Sequence, residues 1–169
     1  GYISSRLALK SAPPLQQDQL LEGLQLLQLD PLIETISADL QAGALPGTNL
    51  LVVTVTEAAT FEANYRFDNN RSPSVGTLRH QGRLTEANLT GWGDRLTVAI
   101  NGTSGSRELS LDYTVPINPH NGSLRFRGTF TNSRVIEESF EVLDISSVAN
   151  AYEITVRQPL IQSPTEEFA

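Results

Sequence analysis

Apolar and polar residues alternate with a period of two over most of the chain after Thr60. Successive side chains of a β-strand point to opposite faces, so this alternation predicts strands with one apolar and one polar face. The segments that carry the pattern are 61–68, 77–84, 95–100, 108–115, 124–131 and 152–157. Turn-forming residues separate them and no helical pattern interrupts them, which predicts an antiparallel up-and-down sheet of six strands.

The first 57 residues follow a different pattern. A leucine stripe predicts a core-facing helix over roughly residues 16–29, and an earlier helix is expected to end before Pro13-Pro14. The stripe consists of Leu20, Leu21, Leu24 and Leu27. Two strands are predicted next, over 35–40 and 50–56. Residues 1–57 are therefore expected to form part of a small α+β unit in the order helix, helix, strand, strand, with its opening missing.

Composition narrows the function. The chain is acidic, with a net charge of −7 and a pI near 4.8, which argues against a nucleic-acid-binding protein. It has no cysteine, so disulfides and thiolate chemistry are excluded. The two histidines, His80 and His120, share no metal-ligand spacing, and no catalytic motif is present. We therefore expect no enzyme activity, no cofactor and no metal. No apolar run approaches the roughly 18 residues of a spanning helix, so strands would have to cross any membrane.

The alternation alone does not choose the environment of the sheet. The apolar face fills the inside of a soluble barrel or sandwich, whereas it meets lipid in a transmembrane barrel with a polar lumen. A soluble all-β binding module of the periplasm or cell surface therefore stays open as an alternative. Three features favour the membrane. Arginine is used almost to the exclusion of lysine and can pair bidentately with carboxylates in a wet lumen. A long acidic connection, 132–150, stands among short ones. Aromatic residues are expected near strand ends, namely Tyr65, Phe67, Tyr113 and Tyr152.

The membrane interpretation assigns each face of the strands. The residues expected to face the lumen are Arg66, Arg79, Gln81, Arg83, Arg95, Glu108, Asp112, Arg125, Arg127, Glu153 and Arg157. The residues expected to face lipid are Phe61, Tyr65, Leu78, Leu96, Val98, Ile100, Leu109, Leu111, Tyr113, Phe126, Phe130, Tyr152 and Ile154. Six strands with open edges would leave backbone groups unpaired in lipid, so the chain is expected to be part of a longer protein.

Several ordered motifs resemble one family. Residues 88–96, with Asn88, Gly91, Gly93 and Asp94, are similar to the first periplasmic turn of two-partner-secretion transporters of the haemolysin-activator and filamentous-haemagglutinin type. The other segments that carry the resemblance are 21–27, 46–53, 67–76 and 116–119. The amino-acid sequences of these segments are most similar to those of cyanobacterial members, and the resemblance covers essentially the whole chain.

The resemblance implies a fold and a function. Residues 1–57 would be the later part of a periplasmic POTRA domain, and residues 58–169 the first six strands of an outer-membrane β-barrel. The protein would translocate an unfolded partner protein across the outer membrane and could also activate a haemolysin- or adhesin-type exoprotein. Its partners would then be that polypeptide and outer-membrane lipid, with no nucleic acid.

Overall fold

The chain divides into two compact units. The computed structural model describes residues 2–10, 15–45, 48–165 and 167–169. The first unit comprises residues 1–59 with 118–122 and 158–169, and the second comprises 60–117 with 123–157. The expected helix stop at Pro13-Pro14 and the Pro46-Gly47 part of the 46–53 motif lie outside the described residues.

The first unit begins with two helices and a two-stranded sheet. Its elements are α1 (Tyr2–Lys10), α2 (Gln17–Gln28), β1 (Ile33–Ala42) and β2 (Asn49–Glu57). The two strands pair antiparallel. Leu7, Leu20, Leu27 and Ile33 form the buried cluster of this unit, and apolar residues of the sheet pack against it. The helices and the sheet are thus held by one small core, as their apolar periodicities predict.

The leucine stripe of α2 is narrower than expected. Leu20 and Leu27 are buried and Leu24 packs against them, because residues spaced by four and three positions lie on one side of a helix. Leu21 is 54% exposed, so its assignment to the core was wrong. Gly23 lets the helices approach closely, since a Cβ there would lie 3.0 Å from Cβ of Lys10.

The second unit is a single six-stranded antiparallel sheet. Its strands pair in sequence order, with a continuous register from one strand to the next. They are β3 (Phe61–Asp68), β4 (Arg79–Ala87), β5 (Arg95–Gly102), β6 (Ser106–Pro116), β7 (Ser123–Arg134) and β8 (Ser146–Arg157). The six-stranded up-and-down sheet that the alternation predicts is therefore present.

The connections define two ends of this sheet. Segments 88–94 and 117–122 join strands at one end, named here the turn end. Segments 69–78, 103–105 and 135–145 join strands at the other, the loop end. The acidic connection is shorter than the expected 132–150, because β7 and β8 both extend into it.

Several details differ from the expected pattern. The strand β8 begins at Ser146, so Tyr152 lies in its middle, opposite Gly128, and Tyr65 is likewise central in β3, opposite Gly82. Their expected positions near strand ends were wrong. Leu78 immediately precedes β4 and is exposed.

Short elements that the alternation did not predict also occur. A one-turn helix, α3 (Glu138–Glu141), interrupts the connection between β7 and β8, and a small ladder joins β9 (Ile161–Gln162) to β10 (Glu167–Phe168). Among the helices that the structure describes, none has the length and apolar character needed to cross a bilayer.

Candidate functional site

One face of the six-stranded sheet carries the polar residues singled out in the sequence. Paired residues of neighbouring strands share a face, and the register connects all eleven expected lumen residues across β3 to β8. Asp68, which shares the parity of Arg66 in β3, joins them opposite Arg79. This face is called the polar face below.

The opposite face carries the apolar residues. The register places there every strand residue that was expected to face lipid, and Leu78, although it precedes β4, has the same parity. Large side chains of this face are exposed, among them Tyr65, Tyr152 and Ile154. Which face meets lipid and which meets the lumen stays a prediction.

Asp112 is the centre of a charge cluster on the polar face. Nε of Arg125 donates to its Oδ1 at 3.0 Å, and a second Arg125 nitrogen donates to Oδ2. Arg127, directly opposite Asp112 in the register, donates from Nε to Oδ2 at 3.0 Å. Nη1 of Arg127 also lies 3.8 Å from Glu153 Oε2. Partly exposed pairs of this kind contribute about 0.2–1 kcal/mol each, and the bidentate geometry of Arg125 makes its pair more specific.

A second cluster forms around Asp68 at the loop end. Arg79 binds both of its carboxylate oxygens, with distances of 3.1 and 2.9 Å, and Nε of Arg66 lies 3.2 Å from Oδ2. The backbone N–H of Asn70 donates to Oδ1 at 3.1 Å. Within the described residues no group of three or more acidic or histidine side chains could hold a metal ion.

A chain of side-chain hydrogen bonds on the polar face links β4, β5 and β6. Gln81 donates to Asn101 Oδ1 at 3.0 Å, and Asn101 donates to Glu108 Oε1 at 2.7 Å. Glu108 and Asp112 thus have separate hydrogen-bond partners. The sequence reasoning missed Asn101, although its alternation with Ile100 and Gly102 could have placed it on the polar face.

The polar face encloses a concave trough of about 660 Å³. Its lining residues come from five adjacent strands, β4 to β8, and all of them lie on the polar face. The charged ones are Arg83, Arg95, Glu108, Asp112, Arg125, Arg127 and Arg157. The trough can therefore offer many hydrogen-bonding groups to a polypeptide or ion.

The turn 88–94 is built by its own side chains. Asp94 is only 1% exposed, and its Oδ1 accepts hydrogen bonds from the backbone N–H of Thr90 at 2.9 Å and from the Thr90 hydroxyl at 2.8 Å. Asn88 Oδ1 accepts from the N–H of Gly93 at 2.8 Å. Asn88, Gly91 and Gly93 have positive φ angles of 66°, 83° and 83°, which glycine and asparagine tolerate best. The four residues singled out in this motif therefore have a structural role.

Tyr113 attaches this turn to the neighbouring strand. Its hydroxyl, on β6, donates to Asp94 Oδ2 at 2.9 Å. Burial opposes ionisation of Asp94, but the hydrogen bonds from Thr90 and Tyr113 outweigh it and hold the pKa of Asp94 below its usual range. The sequence predicted Tyr113 only as an aromatic residue of the apolar face and gave no sign of the hydrogen bond from its hydroxyl.

The loop end is tied by main-chain hydrogen bonds. The carbonyl of Val75 accepts from the N–H of Gly105 at 2.9 Å, and the carbonyl of Ser74 accepts from the N–H of Ile136 at 2.8 Å. The Thr103 hydroxyl also donates to Val75 O. All three connections of the loop end are thereby joined. No sequence motif indicated these contacts, because backbone groups of any residue could make them.

The family can now be assigned. Residues 47–168, most of the chain, match the model of a family described as haemolysin secretion/activation protein ShlB/FhaC/HecB. The chain belongs to this family. Membership confirms the resemblance to two-partner-secretion transporters and, with it, the expected outer-membrane location. No curated protein matches the chain.

Two solved structures resemble the fold. BamA from Haemophilus ducreyi lacking POTRA domains 1–3 matches with a TM-score of 0.66 and 16% identity over 88% of this chain and 28% of that one. CdiB from Escherichia coli matches with a TM-score of 0.60 and 12% identity over 94% of this chain and 31% of its own. Identities this low establish the fold alone, an antiparallel sheet of the β-barrel transporter type. The chain spans about 30% of the length of these structures.

Proposed function

We propose that the six strands are part of a transmembrane β-barrel that translocates an unfolded partner protein across the outer membrane. The observation that carries the proposal is the separation of chemistry between the two faces of one continuous sheet. In the described residues the ion pairs that join two strand residues all lie on the polar face, whereas aliphatic and aromatic side chains predominate on the opposite face. Family membership supports an orientation in which the polar face is turned toward the lumen of a barrel.

The exposure of the apolar face supports the same orientation. Tyr152 and Ile154 in β8 are 74% and 70% exposed, and exposed apolar side chains extend from β3 to β8. A soluble sheet buries such a face against a second layer, whereas a membrane barrel leaves it to lipid. The strands β3 and β8 form the edges of the sheet. Edges in lipid must be paired, so further strands of a longer protein would have to complete the barrel.

The polar face suits conduction of an unfolded chain. Most of its charged and amide groups have partners within the sheet, whereas Arg83 and Arg95 are exposed and have no ion-pair partner in the described residues, so all of these groups can stay hydrated. A moving polypeptide would meet few apolar side chains on this face to which it could adhere. Activation of a haemolysin- or adhesin-type exoprotein is a further part of the proposal.

Residues 1–57 are proposed to belong to a POTRA domain in the periplasm. The order α1, α2, β1, β2 agrees with the later part of such a domain. The two-stranded sheet offers exposed edges to an extended polypeptide, which could add a strand through main-chain hydrogen bonds with little demand on its sequence. This unit would receive the partner protein before translocation.

The orientation of the sheet can be tested with two neighbouring substitutions. Leu111, on the apolar face of β6, lies opposite Val98 and Gly128, whereas Ser110 lies on the polar face opposite Ala99 and Thr129. If Leu111 faces mid-membrane lipid, Leu111→Arg should lower the free energy of unfolding in lipid vesicles by about 2–4 kcal/mol. Ser110→Arg, the matched control, introduces the same side chain into the trough and should cost much less.

The outcome decides between the membrane and soluble interpretations. Outer-membrane fractionation, with unboiled and boiled samples compared on a gel, shows first whether the protein that carries this chain forms a heat-modifiable barrel. Equal effects of the two arginines, or a soluble protein without a mobility shift, would contradict the proposed orientation. The result would then favour a soluble all-β binding module.

A further inference from the structure

The trough has an excess of positive charge although the chain is acidic. Five arginines and two carboxylates line it, an excess of three positive charges, whereas the whole chain has a net charge of −7. The excess is therefore local. Under the proposed function, on which this inference rests, it lies on the face that a translocated polypeptide would meet.

The arginines are concentrated toward the turn end. Arg95 and Arg125 lie at the same level of the sheet, since both pair with Thr114. Arg157 lies one level nearer the turn end, where it pairs with Ser123. Asp112 and its partner Arg127 lie one level farther from the turn end, and Glu108 lies beyond them. The turn end of the trough is thus lined by guanidinium groups ahead of the first carboxylate.

Two of the arginines are available to a ligand. Asp112 is shared by Arg125 and Arg127, and Glu108 accepts a hydrogen bond from Asn101. In the part of the chain that the structure describes, neither Arg83 nor Arg95 has an ion-pair partner, and both side chains are exposed. Guanidinium groups bind carboxylates through paired hydrogen bonds.

The spacing of these two arginines fits an extended polypeptide. Arg83 pairs with Ala99, four residues along β5 from Arg95. At about 3.3 Å per residue, the two positions are separated by about 13 Å along the strands. In an extended chain, side chains four residues apart point to the same side at the same spacing of about 13 Å. We propose that the trough binds extended polypeptide segments rich in aspartate or glutamate, whose carboxylates pair with Arg83 and Arg95.

The test is block of ion conductance by short peptides. The protein that carries this chain is reconstituted in a planar bilayer, and oligoglutamate or oligolysine of equal length is added. Oligoglutamate should block at a lower concentration than oligolysine. The double variant R83E/R95E turns the excess of three positive charges into an excess of one negative charge. It should require at least tenfold more oligoglutamate, a difference of about 1.4 kcal/mol.

A matched control separates this effect from net charge alone. Arg107 and Arg134 have the parity of the apolar face, where they pair with Gly102 and Ser146 near the loop end. The double variant R107E/R134E changes the total charge equally but should leave the block unchanged. If R83E/R95E fails to give a heat-modifiable barrel, R83Q/R95Q takes its place and should show a smaller loss of block in the same direction.

Each outcome has a distinct meaning. Equal block by the two peptides, or an R83E/R95E variant that is blocked like the wild type, overturns the inference and leaves the proposed function standing. Inorganic phosphate that blocks as well as oligoglutamate at equal total charge overturns the assignment to an extended peptide. A protein that neither enters the outer membrane nor conducts ions overturns the proposed function itself.

Discussion

Removal of the Tyr113 hydroxyl should weaken the attachment of turn 88–94 to β6. Tyr113→Phe keeps the ring on the apolar face but deletes the 2.9 Å hydrogen bond to Asp94 Oδ2. A hydrogen bond to a charged group contributes about 1.5–3 kcal/mol. Asp94 keeps its two bonds from Thr90, so we expect a loss near the lower value, about 1.5 kcal/mol.

Asp94→Ala should cost more, because three hydrogen bonds are lost and the backbone N–H of Thr90 loses its acceptor. We expect a loss of about 3–5 kcal/mol. In the Asp94→Ala background, Tyr113→Phe should have almost no further effect, since the acceptor of the hydroxyl is already gone. The double-mutant cycle should therefore give a coupling of about 1.5 kcal/mol between Asp94 and Tyr113.

Denaturant titration of the protein in lipid vesicles measures the free energies of unfolding. Hydrogen exchange of the Thr90 and Gly93 amides reports the turn itself, and both should exchange faster in Asp94→Ala. Tyr152→Phe is the control, because Tyr152 lies on the same face and is largely exposed. If Tyr113→Phe and Tyr152→Phe have the same effect within about 0.5 kcal/mol, or if the coupling is zero, the attachment through Asp94 is refuted.

Two further predictions concern pH and the loop end. The folded-state pKa of Asp94 is lowered, so the stability that the Asp94 carboxylate contributes should be complete above its unfolded-state pKa of about 3.9 and be lost as the pH falls through its folded-state pKa. The difference in unfolding free energy between wild type and Asp94→Asn should therefore narrow as the pH falls. A difference that does not change with pH would contradict this prediction. Gly105→Ala should destabilise the loop end, because the added Cβ would lie 2.5 Å from the carbonyl oxygen of Arg134, whereas Gly102→Ala meets nothing within 4 Å; equal unfolding free energies of the two variants would disprove the argument.

Alternation was sufficient to predict the six-stranded sheet, because each strand has a fixed side-chain period of two. It failed at the start of β8, where Ser146, Ser147 and Ala149 give little contrast between the faces. The one-turn helix α3 is too short to show a helical period. The α+β order of the first unit followed from the leucine stripe, although Leu21 lies outside the core.

The site could be predicted as a face but not as a set of contacts. The alternation along β7 places Arg125 and Phe126 on opposite faces of the sheet, and this holds whichever strands β7 pairs with. The partners of Asp112 depend on the register between β6 and β7, which cannot be derived from the alternation within each strand. Asp94 and Tyr113 meet across nineteen positions of the chain, and no local pattern connects them.

The two ends of the sheet differ in how far a sequence can reveal them. At the turn end, Asn88 and Asp94 satisfy backbone N–H groups with their own side chains, and Gly91 and Gly93 supply positive φ angles, so particular residue types are required. At the loop end, the carbonyls of Ser74 and Val75 accept main-chain hydrogen bonds that nearly any residue could supply. Only a few positions there are restricted, such as Gly105, where a side chain would collide with Arg134. A sequence motif can therefore be recognised at the turn end, whereas residues at the loop end can be substituted without loss of the main-chain hydrogen bonds.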